Sequence, residues 1–183
     1  LKQQGYEITF ICRQQKGDLI DFIKQRKYQI IVLKALHEPV IPKCEPDYEA
    51  WLQVPWQDDA NELIAQLKTV DLVIVDHYGI VQEWESKVRK ELSCRILSID
   101  DLVRQHDADF VLDQTLFRQV KEYKNIPNVL VGCDYALLNQ QFSFYREQVL
   151  PHQTKSIIMP KVLVSMGGVD QPNATLMVLK RIV

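Results

Sequence analysis

An α/β fold with a mostly parallel open sheet is predicted by three observations in the 183-residue chain. Leu72-Val73-Ile74-Val75 is an unbroken run of branched apolar residues between Asp71 and Asp76, which reads as a strand buried on both faces in the middle of a parallel sheet. Strand-like runs of this kind alternate with one-sided helical patterns, the rhythm of βαβ units. Acids and turn formers gather at the carboxyl ends of the runs, at Asp76, Asp100, Asp101 and Asp113. Ligands of open α/β sheets bind outside those ends, so Asp76-His77-Tyr78-Gly79 is expected on the wall of any working site.

The bulk numbers suit that class. The chain is 46% apolar and 25% charged, with a formal net charge of −2 and a pI near 6.1. Such a balance argues against nucleic acid or an anionic membrane as partner. Cys12, Cys44, Cys94 and Cys133 lie far apart without a C-x-x-C pair, pointing to a reducing, cytoplasmic compartment with neither disulfides nor a zinc site. No apolar run reaches the roughly 18 residues of a membrane span.

Taken in order, Leu1 to Gly5 reads as a last helical turn stopped by glycine. Tyr6 to Arg13 is a strand by its β-branched and aromatic content, and a helix follows through Leu19, Ile20, Phe22 and Ile23 with Asp18 as N-cap. Gln29 to Leu33 is the next strand. Between Lys34 and Gln57, Pro39, Pro42, Pro46 and Pro55 exclude a regular helix or central strand. Tyr48, Trp51 and Trp56 are read there as anchors that pack the loop down, in preference to an aromatic platform. Asp58 and Asp59 open a helix through Leu63, Ile64 and Leu67, leading into the strand at 72.

Val81 to Leu92 is helical with Trp84 and Val88 facing the sheet. Arg95 to Asp101, Phe110 to Gln114 and Val129 to Gly132 are strands whose short spacing leaves room only for abbreviated crossovers. Gln140 to Val149 is a polar helix. The expected domains are 1–150, a linker over 151–160, and 161–183 as the first strand, turn and helix of a second, Rossmann-like domain. The chain is expected to lack the first strand of its sheet and most of that second domain.

Three constellations bear on chemistry. Gly167-Gly168 lies between the Lys161 to Ser165 strand pattern and a helix starting at Pro172. A glycine pair there serves either as a tight turn or as a close backbone approach to phosphate, helped by the first-turn N–H groups. Asp170 or Asn173 caps that helix. The strand-end acids either cap loops or hold Mg²⁺. His77 is a ligand contact in preference to a base paired with Asp76, while His37, His106 and His152 fall in loops and read as solvated.

Together these stretches resemble the UDP-2,4-diacetamido-2,4,6-trideoxy-β-L-altropyranose hydrolases of pseudaminic acid biosynthesis, which serve flagellin glycosylation. The resemblance is carried by Val75-Asp76-His77-Tyr78-Gly79 with Trp84, Ile99-Asp100-Asp101, His106-Asp107, Leu112-Asp113-Gln114, Asp134-Tyr135-Ala136-Leu137-Leu138, and Ser165-Met166-Gly167-Gly168-Val169-Asp170. It implies a GT-B-like two-domain fold and inverting, metal-independent hydrolysis of a UDP-sugar to UDP and free sugar, without a cofactor. It also implies His77 and Tyr78 as sugar-side contacts, with Gly167, Gly168 and Asn173 near the diphosphate. The family's catalytic histidine lies in a Gly-His-x-x-Arg motif expected upstream of Leu1, so no catalytic residue is expected within this chain. The loop from Lys34 to Gln57 is longer than the resemblance implies. A GT-B glycosyltransferase, a nucleotide-sugar-binding module without turnover and a Mg²⁺ phosphohydrolase are the alternatives.

Overall fold

The structure, a computed structural model, describes residues 1–35, 38, 40–44, 46–150, 162–166, 170 and 172–182. Every strand pairing in it is parallel, as the branched apolar runs require. Strand β1 (Thr9–Arg13) lies beside β2 (Gln29–Leu33), with Thr9 opposite Gln29 and Arg13 opposite Leu33. Helix α1 (Ile20–Gln25) crosses between them and buries Ile20 and Ile23. The N-cap of α1 is Leu19 and not Asp18 as expected, although the Asp18 carboxylate still accepts the Ile20 N–H at 3.0 Å from one residue further upstream.

The loop after β2 departs from the sequence expectation. It contains a one-turn helix α2 (Tyr48–Trp51), and the next helix, α3 (Trp56–Gln66), starts two residues before Asp58. The prolines do not forbid either helix because each precedes its first turn, where a missing N–H costs nothing. Pro55 directly precedes α3, and Asp47 caps α2 by accepting the Ala50 N–H at 3.2 Å.

A second sheet has the order β3 (Leu72–Val75), β4 (Arg95–Ile99), β5 (Phe110–Asp113), β6 (Val129–Val131). Helix α4 (Gln82–Leu92) crosses from β3 to β4. The β4–β5 and β5–β6 connections are abbreviated, as expected, the latter holding a single 3₁₀ turn at Val120–Glu122. The core joins Leu63 of α3, Trp84 and Val88 of α4, Val75, Ile96 and Val111 of the sheet, and Tyr123.

The strand expected in the middle of a sheet is instead an edge. Among the described residues β3 pairs only with β4, and Leu72 and Ile74 stand 41% and 46% exposed. Val73 and Val75 turn toward the α3–α4 side, so the two-residue period sends Leu72 and Ile74 to the opposite face.

The chain divides into two compact units, Leu1–Leu137 and Leu138–Val183. Helix α5 (Gln140–Val149), capped by the Asn139 side chain, and α6 (Ala174–Ile182) belong to the second unit. The proposed linker 151–160 lies outside the described residues, as do Lys161, Gly167 and Gly168. Residues 162–166 carry no strand; Leu163 is 90% exposed, and no described segment pairs with it to form a ladder.

Candidate functional site

The carboxyl ends of β3, β4 and β5 enclose a cavity of about 400 Å³ lined by Asp76, Tyr78, Ile99, Asp100, Asp101, Leu112, Gln114 and Thr115. It lies where the topology of an open parallel sheet puts a ligand. Tyr78 forms part of its wall and donates its hydroxyl hydrogen bond to Asp101 Oδ1 at 2.7 Å. That bond, aided by burial, pushes the Tyr78 pKa up to about 12, so the side chain is a neutral donor at physiological pH and not a base.

His77, expected beside Tyr78 as a ligand contact, spends its ring on backbone. Nδ1 accepts the Gly79 N–H at 3.0 Å, and the ring donates to the Trp51 backbone. Burial lowers its pKa against the opposing pull of Asp59 and Asp76, which keeps the imidazole neutral. Its geometry therefore ties the β3 exit to α2. Gly79 makes the same junction possible: a Cβ there would fall 2.6 Å from the Tyr48 carbonyl oxygen.

Behind the cavity runs a buried ionic network that the sequence reading missed. His106, read as solvated, is buried: its side chain is 3% exposed, with Nδ1 2.8 Å from Glu85 Oε1 and Nε2 3.4 Å from Asp100 Oδ2. Glu85 also accepts the Ser98 hydroxyl at 2.5 Å and the Asp107 N–H at 2.7 Å. Burial alone would depress the His106 pKa, but Asp100 and Glu85 outweigh it and raise it to about 9. Burial likewise opposes ionisation of Asp100, and His106 and Arg104 overcome that and hold it at about 2.

Arg104 connects this network to the cavity wall. Its Nε donates to Asp100 Oδ1 at 2.8 Å, and its Nη1 donates to the carbonyls of Tyr78 and Ile80 at 2.5 and 3.0 Å. Between Asp100 and Arg104, Val103 adopts φ 56°, a strained value for a β-branched residue. The Asp100 carboxylate holds that turn by accepting the N–H groups of Leu102 and Arg104, each at 3.3 Å. Asp113 is similarly occupied, ion-paired with Arg118 and accepting the Tyr123 hydroxyl at 2.8 Å. Two of the four strand-end acids thus have their charge compensated by arginine, which favours the loop-shaping reading over a cation cage.

Arg13 at the end of β1 is a third such node. Its side chain, 8% exposed, pairs with Asp59 at 2.7 Å and Glu62 at 2.8 Å on α3. Asp59 also accepts the Trp84 indole N–H at 2.9 Å, coupling β1, α3 and α4.

Beside the cavity, Tyr48 and Trp51 of α2 pack on Tyr78, with ring centroids 5.0 and 5.9 Å away. Trp56 does pack against the core, as an anchor should. Trp51 does not: it is 44% exposed, while its neighbours Ala50 and Leu52 are buried.

In the second unit, Asp170 caps α6. Its two carboxylate oxygens accept the N–H groups of Ala174 at 2.7 Å and Thr175 at 2.8 Å. Two of the first-turn donors expected to meet phosphate are therefore already used. Asn173 is exposed at the helix start with φ 55°.

A signal for the missed residues was present. Glu85 sits on the α4 face defined by Trp84 and Val88, and Asp59 on the α3 face with Ala60 and Leu63. An acid on an otherwise apolar helical stripe must find a buried partner. Arg104 and Arg118 follow Asp100 and Asp113 within one loop turn, the reach needed to neutralise them.

No protein-family profile matches the chain. It is 27% identical over 182 residues to a Campylobacter jejuni protein named UDP-2,4-diacetamido-2,4,6-trideoxy-β-L-altropyranose hydrolase, an alignment covering 97% of this chain and 56% of the relative. The chain thus spans little more than half the length of the curated relative it matches. The resemblance read from Asp76-His77-Tyr78-Gly79 and its companion stretches is borne out by that similarity, which runs through nearly the whole chain.

Proposed function

We propose that the first unit binds the sugar of a UDP-linked 2,4-diacetamido-2,4,6-trideoxyhexose for hydrolysis. Water attacks the anomeric carbon, the bond to the diphosphate oxygen breaks, UDP leaves and the configuration inverts. The observation that carries this reading is a polar cavity at the strand ends, walled by Tyr78 and Asp101, in a chain similar throughout to a named UDP-sugar hydrolase. Asp76, Asp101 and Thr115 offer the acceptors and donor that hydroxyl and acetamido groups require.

Neither His77 nor His106 is assigned as the general base. His77 has Nδ1 engaged, and His106 is held as imidazolium between carboxylates, so neither is poised to take a proton from water. In this reading Tyr78 is the sugar contact and His77 holds it in place. In the second unit, Gly167 and Gly168 are proposed to approach the diphosphate with Asn173 nearby, without the first-turn N–H groups that Asp170 occupies. A GT-B arrangement, a cytoplasmic setting and independence from metals or cofactors belong to the same proposal. Among the described residues, no helix is long and apolar enough to cross a membrane.

The test is direct. Full-length protein is incubated with the UDP-trideoxy sugar, with and without EDTA, and UDP release is followed by NMR. Release insensitive to EDTA is expected; absence of release sinks the proposal, and strong EDTA inhibition revives the metal alternative. Tyr78→Phe is expected to lower kcat/KM about 10- to 100-fold, the scale of a lost hydrogen bond to a charged group. Its circular dichroism should match wild type, and unaltered kinetics would refute the contact.

A further inference from the structure

We propose that Trp51, supported by Tyr48, is a stacking residue for the apolar face of the pyranose and determines selectivity for N-acetylated, deoxygenated sugars. The inference rests on the sugar-binding reading above and adds the α2 loop to that site. Neither the sequence resemblance nor the relative's name assigns this loop a role.

The local build explains why Trp51 faces outward. α2 is a single turn, fixed at its start by Asp47 and beneath by the buried side chains of Ala50 and Leu52. Gln53, at φ 67°, secures the exit by donating to the Ala50 carbonyl at 2.7 Å and accepting the Val40 N–H at 2.9 Å. The end of β3 lies against the same turn, with Gly79 so close that a Cβ there would fall 2.6 Å from the Tyr48 carbonyl oxygen. With both sequence neighbours inside, Trp51 is held at the surface by a turn that is itself pinned at several points.

Loop anchoring does not account for an indole left 44% exposed when Ala50 and Leu52 already supply the buried contacts. Position does account for it. Tyr78 is shared, lining the cavity and packing against both α2 rings. Tyr48 meets Trp51 edge to face, with centroids 5.0 Å apart and planes at 86°, which braces the indole. The arrangement is a polar cavity whose aromatic wall, Tyr78, is continued outside the lining by the rings of Tyr48 and Trp51. Ligand sites combine these two features because polar groups fix orientation and apolar area supplies affinity. A sugar with acetamido groups and a deoxygenated carbon presents more apolar surface to such a flank than a fully hydroxylated one.

Fluorescence isolates the residue. Of the three tryptophans in these 183 residues, Trp84 is 2% exposed and Trp56 packs against the core, and the signal of the exposed Trp51 is read in the full-length protein as the difference between wild type and Trp51→Leu. Full-length protein is titrated with the UDP-2,4-diacetamido-2,4,6-trideoxy sugar, with UDP-glucose and with UDP. Quenching by the trideoxy sugar is expected, weaker quenching by UDP-glucose, and none by UDP. Trp51→Leu should abolish the quenching and raise KM about tenfold with kcat held within twofold, the fold-change of a strong aromatic contact. The inhibition constant for UDP should be unchanged, and Trp51→Phe should recover most of the affinity. Equal quenching by UDP, no quenching by the trideoxy sugar, or an unchanged KM in Trp51→Leu overturns the inference. Circular dichroism and urea midpoints equal to wild type are expected for both variants; a collapse in both identifies an anchor and also overturns it. If UDP release fails while sugar quenching at Trp51 persists, hydrolysis is lost and the stacking contact stands. The reverse pattern removes only the contact.

Discussion

His106 should make the protein less stable as pH rises from about 6.5 to about 9, the interval between its ordinary pKa and its folded value. Its ring lies between Glu85 and Asp100 with almost no water contact. Burial favours the neutral ring, yet the two carboxylates prevail and lift the pKa from 6.5 to about 9. At 1.36 kcal/mol for each tenfold change in proton affinity, the imidazolium contributes on the order of 3 kcal/mol. The folded chain keeps a proton in this window that the unfolded chain releases. The contribution is therefore complete below about 6.5 and gone once the pH has passed about 9. Asp100 acts in the opposite sense: held at about 2, it contributes above its ordinary value of 3.8 and loses that contribution as pH falls through 2. Urea unfolding at pH 6 and pH 9.5 should show wild type losing about 3 kcal/mol more than His106→Gln, which carries no titrating ring. The His106 Cε1 proton should titrate near 9 by NMR. Equal pH slopes in the two proteins, or a His106 resonance titrating near 6.5, would refute the reasoning.

Two further substitutions test the frame of the site. Arg13→Ala strips the partner from Asp59 and Glu62 at a buried position and should cost about 3–5 kcal/mol, read from urea midpoints. Arg13→Lys should recover only part of that loss, since a single ammonium cannot reproduce the fork that meets both acids. Gly79→Ala places a methyl 2.6 Å from the Tyr48 carbonyl oxygen and should destabilise by about 1–3 kcal/mol. The displaced α2 turn should also shift Trp51 emission; a variant with wild-type stability and emission would show that α2 does not press on Gly79.

Much of the fold was legible because it rests on short-range pattern. β2 at Gln29–Leu33 and α5 at Gln140–Val149 have the limits that branched content and capping chemistry predict. The cavity position followed from topology, since strand ends collect ligands whatever their chemistry. The network behind it was not legible, because Glu85, Arg104 and His106 meet only after α4 and the β4–β5 loop have folded onto the sheet. Local reading rates each of these as a surface residue; only the apolar company of Glu85 on α4 hints otherwise. The α2 turn was hidden by its prolines, which fix where a helix begins as readily as they end one. Asp170 was legible as one of two candidate caps for α6; that its two carboxylate oxygens take two successive N–H groups was not, because this depends on the turn geometry.

The free side of β3 has a colloidal consequence. Its backbone presents a row of donors and acceptors beside Leu72 and Ile74, in the most uniformly branched apolar stretch of the sheet. An exposed row of this composition is a template for any extended segment, including another copy of itself. Among the described residues, Leu72–Val75 is therefore the stretch at which strand addition would begin.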